Sequence, residues 1–109
     1  LEMAALSLKL SSNDEILISS FTFVSTASAF ALRGCKIKFI DISGKTLQFD
    51  FNKIKQMTNK KTKAIVIVHY GGTSSGKIEE LVSFCKERKI PLIEDAVLLP
   101  CASWFVVYR

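Results

Sequence analysis

The order of elements in this sequence predicts an α/β protein, a three-layer sandwich built on a mostly parallel sheet, and two observations carry that prediction. Apolar, β-branched runs alternate with segments of helical spacing, and such alternation calls for a parallel sheet with right-handed crossovers. Pro91-Leu92-Ile93-Glu94-Asp95-Ala96 is a short apolar run that ends in two carboxylates. A strand buried on both faces reads this way, and in open α/β sheets the carboxyl ends of the strands face the ligand crevice. Asp95 is therefore the first candidate site residue; the plainer reading is that Glu94 and Asp95 begin a solvated loop or cap a helix.

Each element has its own reason. Leu1 to Leu10, rich in Ala, Leu and Met, reads as the end of a helix without a cap before it. Ser11 to Asp14 is turn chemistry, and Glu15 to Ser19 is a short buried strand. A helix is expected within Val24 to Arg33, where Ala27, Ser28, Ala29 and Ala31 permit close packing on a sheet and Gly34 provides the stop. Lys36 to Ile42 alternates with period two, as does a strand with one strongly buried face or a place near the sheet edge.

Asp50 is suited to cap a helix running through Thr58, with Phe51, Ile54 and Met57 on one face. Ala64 to Val68 is the most strand-like run and belongs at the sheet centre, with His69-Tyr70-Gly71-Gly72 leaving its carboxyl end. In Lys77 to Lys89, Ile78, Leu81, Val82 and Cys85 form one stripe, with acids near the start and bases near the end, as in a surface helix packed on a sheet.

Composition narrows the function. The 109 residues fit one modest domain or a piece of a larger one, and 49% hydrophobic content is ample for a core. No apolar run reaches the roughly 18–20 residues of a membrane helix, and no leader pattern opens the chain, so a cytoplasmic protein with no membrane partner is expected. Cys35, Cys85 and Cys101 lack metal-ligand spacing and read as reduced thiols, with no metal site. The net charge of +5 owes much to Lys53, Lys55, Lys60, Lys61 and Lys63, read as a solvated helix end and loop; with no aromatic interleaving or reader motif, no nucleic-acid partner is expected. No glycine-rich phosphate loop or dinucleotide fingerprint occurs between strand and helix.

Five segments in fixed order, Ser20-Phe21-Thr22-Phe23-Val24-Ser25-Thr26, AFALRG, KIKFIDI, TKAIVIVHYGG and PLIEDA, resemble the large domain of the DegT/StrS nucleotide-sugar aminotransferases, which have fold type I and depend on pyridoxal 5'-phosphate. The resemblance covers residues 1–96, a partial large domain, and leaves 97–109 as a divergent tail. Within the group it is similar to enzymes that aminate a dTDP-4-keto-6-deoxy sugar for surface polysaccharides. It implies a nucleotide-sugar substrate, an amino-acid amino donor and a homo-oligomer.

The resemblance also implies roles. Asp95 pairs with the pyridinium nitrogen, keeping the ring an electron sink, and Phe23 stacks on the ring; the alternative for Phe23 is one more core aromatic. His69, the only histidine, shapes the pocket rather than transferring protons, with Tyr70 beside it. Thr22 and Ser25 assist binding or simply start the helix.

The departures are as informative. Where the family has a small residue and then an amide or imidazole, this chain has Val97 and Leu98, and leucine cannot donate a hydrogen bond. Every lysine precedes Asp95, so the catalytic Schiff-base lysine that the family carries after this motif is missing from these residues. The tail reads as a frame change or alternative exon, or as a divergent last strand at Trp104 to Tyr108. The expected function is thus a fragment of an aminotransferase, inactive alone, with a catalytically dead association module or an unrelated α/β ligand-binding domain as alternatives.

Overall fold

The computed structural model describes residues 6–20, 24–41, 49–68, 78–95 and 105–108, with the backbone alone described for 24–26, 68, 95 and 105–108. Five strands, β1 (Glu15–Ser19), β2 (Lys36–Ile40), β3 (Thr62–Val68), β4 (Leu92–Asp95) and β5 (Phe105–Tyr108), and three helices, α1 (Val24–Ala31), α2 (Phe51–Met57) and α3 (Ile78–Arg88), follow one another in the alternation the sequence predicts. The sheet order is β2-β1-β3-β4-β5. The first four strands are parallel, and β5 joins β4 antiparallel. This is the mostly parallel α/β sheet that was expected, with β3 at its centre.

The period of two along each strand sorts the core into two layers. Ile16, Ile18, Ala64, Val66 and Ile93 pack with Ala29 and Phe30 of α1 and with Leu8. On the other face Leu17, Ile65, Ile67 and Leu92 meet Ile54 of α2 and Leu81, Phe84 and Cys85 of α3. The α2/α3 layer is tied by the edge-to-face pair Phe51–Phe84, with ring centroids 5.7 Å apart. Helices on both faces make the three layers.

Local signals explain the boundaries. Asp50 caps α2 by accepting from the backbone N–H of Asn52 at 3.0 Å and of Lys53 at 3.3 Å. Gly34 has φ +84°, and its N–H donates to the Ala31 carbonyl at 2.9 Å, so it closes α1 in the backbone region glycine tolerates best. At the end of α3 the N–H of Ile90 reaches the Cys85 carbonyl and that of Lys89 the Lys86 carbonyl. That is the double bond of a Schellman cap, with Lys89 at φ 57° where glycine is usual.

Several boundaries differ from the sequence reading. In the first segment Leu6 and Ser7 are helical and a turn follows, with Lys9 at φ 51°, so the helix ends before Leu10. α2 stops at Met57, because Thr58 is extended and serves as the C-cap. β2 stops at Ile40, where its pairing with Ser19 ends. It is an edge strand, as one of the two expectations held, and only Ile40 is buried while Phe39 is 53% exposed. In α3 the buried residues are Leu81, Phe84 and Cys85, and Ile78 and Val82 pack half-buried against the same cluster, so the expected stripe faces the sheet and Phe84 widens it. β3 begins at Thr62, two residues early, because Thr62 pairs with Glu15.

Candidate functional site

The carboxyl ends of the parallel strands form the end of the sheet where the candidate site residues gather in the chain. From β1 the chain crosses to β2 on one side, and β3 lies on the other, so β1 and β3 flank the point where the winding direction reverses. Ligands of open α/β sheets bind in the crevice at such a point. Ser19, buried to 3% exposure, ends β1, and the Ser20 N–H extends the ladder to the Ile40 carbonyl at 2.9 Å.

Asp95 is the last residue of β4, in register with Val68, the last residue of β3, on one side and with Phe105 of β5 on the other. Its neighbour Glu94 is buried, 7% exposed, and by alternation shares the side of Leu92 and α3. The sequence treats these two carboxylates as a pair, but the pleat separates them. Ser25 is the second residue of α1. Thr22, Phe23, His69 and Tyr70 lie outside the described residues. The sequence places the first two in the segment joining β1 to α1 and the last two directly after β3.

No group of three His, Cys, Asp or Glu side chains able to hold a metal occurs among the described residues. Among them, too, no helix is long and apolar enough to cross a membrane. Cys35 and Cys85 are free and buried. Burial pushes both thiols up, Cys85 to about 12. Buried thiols that resist ionisation present little thiolate and little access, so neither is suited to covalent chemistry.

Taken together, a mostly parallel sheet with helices on both faces and an acidic residue closing a strand at the crevice end define an open α/β domain. Residues 1–98 match the DegT/DnrJ/EryC1/StrS aminotransferase family, and the chain belongs to it. Over 96 residues it is 32% identical to the dTDP-4-dehydro-2,3,6-trideoxy-D-glucose 4-aminotransferase of Saccharopolyspora spinosa, covering 88% of this chain and 25% of that protein. The aminotransferase TlmJ from Streptoalloteichus hindustanus superimposes with a TM-score of 0.84 at 32% identity, over 90% of this chain and 26% of the other. NtdA from Bacillus subtilis, solved with its cofactor PMP bound, superimposes with a TM-score of 0.82 at 28% identity, over 90% of this chain and 22% of that one. The chain therefore spans about a quarter of the length of these proteins.

Proposed function

We propose that these residues form the part of a sugar aminotransferase that holds pyridoxal phosphate by its ring, and that the substrate is a dTDP-4-keto-6-deoxy sugar. The single observation that carries the reading is the alignment of strand ends within a family match over residues 1–98: Asp95 closes β4 in register with Val68, one residue before His69. Two inter-strand steps separate β1 from β4, about 10 Å, a width that a substituted pyridine ring with a side chain on each side fills. By the pleat, position 95 shares a row with Ile93, on the sheet face that carries α1, and Phe23 directly precedes α1. The residues present fit the group on this count.

When bound, the cofactor supplies the electron sink through which an amino group passes between an amino acid and a keto sugar. The chain's own part is positional. The Asp95 carboxylate would hold the cofactor's ring N–H and keep the proton on that nitrogen, and the Phe23 ring would stack on it and exclude water. His69, Tyr70, Thr22 and Ser25 would border the site. The dTDP-keto-sugar assignment draws on the activity of the S. spinosa relative.

The 109 residues by themselves are proposed to be inactive, because no lysine follows Asp95 to attach the cofactor, while Lys86 and Lys89 belong to α3 and its cap. Residues 97–109 are proposed to form a divergent tail. The relevant test is a chimera in which residues 1–96 replace the matching segment of the S. spinosa enzyme. A folded chimera should aminate the dTDP-keto sugar, and Asp95→Asn should lower kcat/KM at least about 100-fold. A folded but inactive chimera, or one indifferent to Asp95→Asn, overturns the reading. With the 109-residue chain alone, borohydride reduction after pyridoxal phosphate should label no single lysine stoichiometrically, and Asp95→Asn should leave the labelling unchanged.

A reading as an association module has one observation in its favour: Leu6, Leu32 and Phe39 are 57%, 72% and 53% exposed.

A further inference from the structure

We infer that the amino-terminal end of the sheet, opposite the crevice end, carries an anion site, a cationic groove for a multiply phosphorylated small molecule held by Lys60, Lys63, Arg88 and Lys89. The turn between α2 and β3 and the turn between α3 and β4 bound a concavity of about 640 Å³ lined by these four cations with Asn59 and Thr62. Small-ligand sites run to about 300–1,000 Å³. A shallower depression shares Lys89 and Pro91 with it and adds Lys86. Thus five positive side chains border one continuous surface.

Among the described residues no carboxylate lines either hollow. The ion pairs among the described residues engage Lys38 and Lys53, neither of which borders the groove. Glu15, the acid nearest this turn, is taken up by Asn59 Nδ2 at 2.8 Å and Lys38 Nζ at 3.2 Å. Glu87 is exposed on α3 beside Arg88. Arg88 lies over the Phe84 ring at 5.1 Å, a contact that occupies a face of the guanidinium and leaves its in-plane N–H groups for an oxyanion. Like charges gathered without counter-charge repel one another, and an anion in the groove relieves that cost.

Two of the cations sit where the backbone departs from the regular ladder. Glu15 pairs with Thr62 and Ile16 with Ala64, so Lys63 is the extra residue of a β-bulge, a device that re-aims a side chain. Lys89 keeps the left-handed φ of 57° at a cap where glycine is unstrained. Backbone outliers of this kind gather at ligand clamps. The Thr62 hydroxyl accepts from the Asn59 N–H at 3.0 Å, which leaves its own hydrogen to donate. Among the described residues no aromatic side chain borders the groove, so these residues offer no base-stacking platform and suit a compact phosphate ligand rather than a nucleic acid.

The test is calorimetric titration of the full chain with inorganic tripolyphosphate at low and physiological salt. Saturable one-to-one binding is expected, weakened about tenfold or more by Lys63→Glu, since a charge-assisted hydrogen bond is worth about 1.5–3 kcal/mol and tenfold is about 1.4 kcal/mol. Lys36→Glu, with the same charge change on the edge strand, should weaken it less than about twofold, as screening predicts. Lys89→Gly separates binding from folding: it should weaken binding several-fold while raising the thermal midpoint. An equal loss in Lys36→Glu, unchanged affinity in Lys89→Gly, absence of saturable binding, or tighter binding of an unphosphorylated oligonucleotide would each overturn the proposal.

Discussion

The chain enters strands β2, β3 and β4 through turns of four, four and three residues, and leaves those strands through segments of ten, nine and nine. At the amino-terminal end the turns satisfy themselves locally. Asp14 accepts from the Ser11 N–H at 2.8 Å, the Asn59 side chain accepts from the Lys61 N–H at 2.7 Å, and Lys89 and Ile90 close the Schellman cap. The carboxyl-terminal end holds the longer segments, the proposed cofactor residues and the family motifs. Short, self-satisfied turns fix strand register, while longer segments on a rigid scaffold are where chemistry is usually placed. One end of the sheet is therefore expected to resist change in stability, and the other to govern activity.

The sharpest way to break this comparison is to show that the amino-terminal end is not closed. Cys85 lies in the last turn of α3, and burial pushes its thiol from an ordinary 9.0 to about 12. Cys35 sits beside Gly34, donates to the Phe30 carbonyl at 3.1 Å and is pushed up too. In a Cys101→Ser chain, Ellman's reagent should modify native Cys85 far more slowly than the denatured thiol, because burial keeps it protonated and shuts out the reagent. Rapid modification of both thiols would mean an open end.

The polar link at the same end gives a smaller, pH-dependent effect. The Asn59 amide, and after it Lys38, hold the Glu15 carboxyl below its ordinary value of 4.5 against the opposing effect of burial. A carboxyl held down in the folded state contributes stability that is present above pH 4.5 and lost as pH falls through the folded value. Asn59→Ala removes the donor to Glu15 and the acceptor for the Lys61 N–H. It should cost about 1–2 kcal/mol at neutral pH, and chemical denaturation below pH 4.5 should show a flatter loss than in the parent chain. Identical acid profiles for the two would remove Glu15 from the account.

These features divide by how well they can be read in the sequence. The β1 run EILIS and the Asp50 cap were legible because apolar periodicity and capping act over a few residues. The order of strands was legible only as a class, since alternation dictates a parallel sheet but not which strands are neighbours. The groove was not legible. Lys60 and Lys63 read as a solvated helix end, and their meeting with Arg88 and Lys89 is made by the pairing of β3 with β4, some 25 residues apart in the chain. The bulge at Lys63 is likewise a property of the ladder with β1. Asp95 was singled out from its motif, and the fold supplies its place at the strand end while its partners in the proposed site lie outside the described residues.

A further test addresses the turn into β2. Gly34 has φ +84° and open space where a Cβ would stand, so Gly34→Ala incurs only backbone strain. The expected loss is about 1 kcal/mol, read as a lowered denaturation midpoint with an unchanged slope. A neutral result would mean that the α1 cap relaxes freely and that this turn does not fix β2.

The smallest effect concerns the edge of the sheet. On β2, Lys36 is exposed and Lys38 pairs with Glu15 at 3.2 Å, so the strand's first residues present charge along an edge that has no partner strand among the described residues. Nearer the carboxyl end Phe39 is 53% exposed on the same strand. An edge guarded by lysines at one end and an exposed aromatic at the other favours association through the second. Phe39→Thr replaces the aromatic with a β-branched side chain and so retains strand preference. Sedimentation equilibrium should show self-association of the parent chain that weakens several-fold in the variant, while stability changes by no more than about 0.5 kcal/mol, as for surface substitutions generally. If the parent chain stays monomeric at the highest concentrations, or if Lys36→Thr weakens association as Phe39→Thr does, the contrast between the two ends does not extend to the edge.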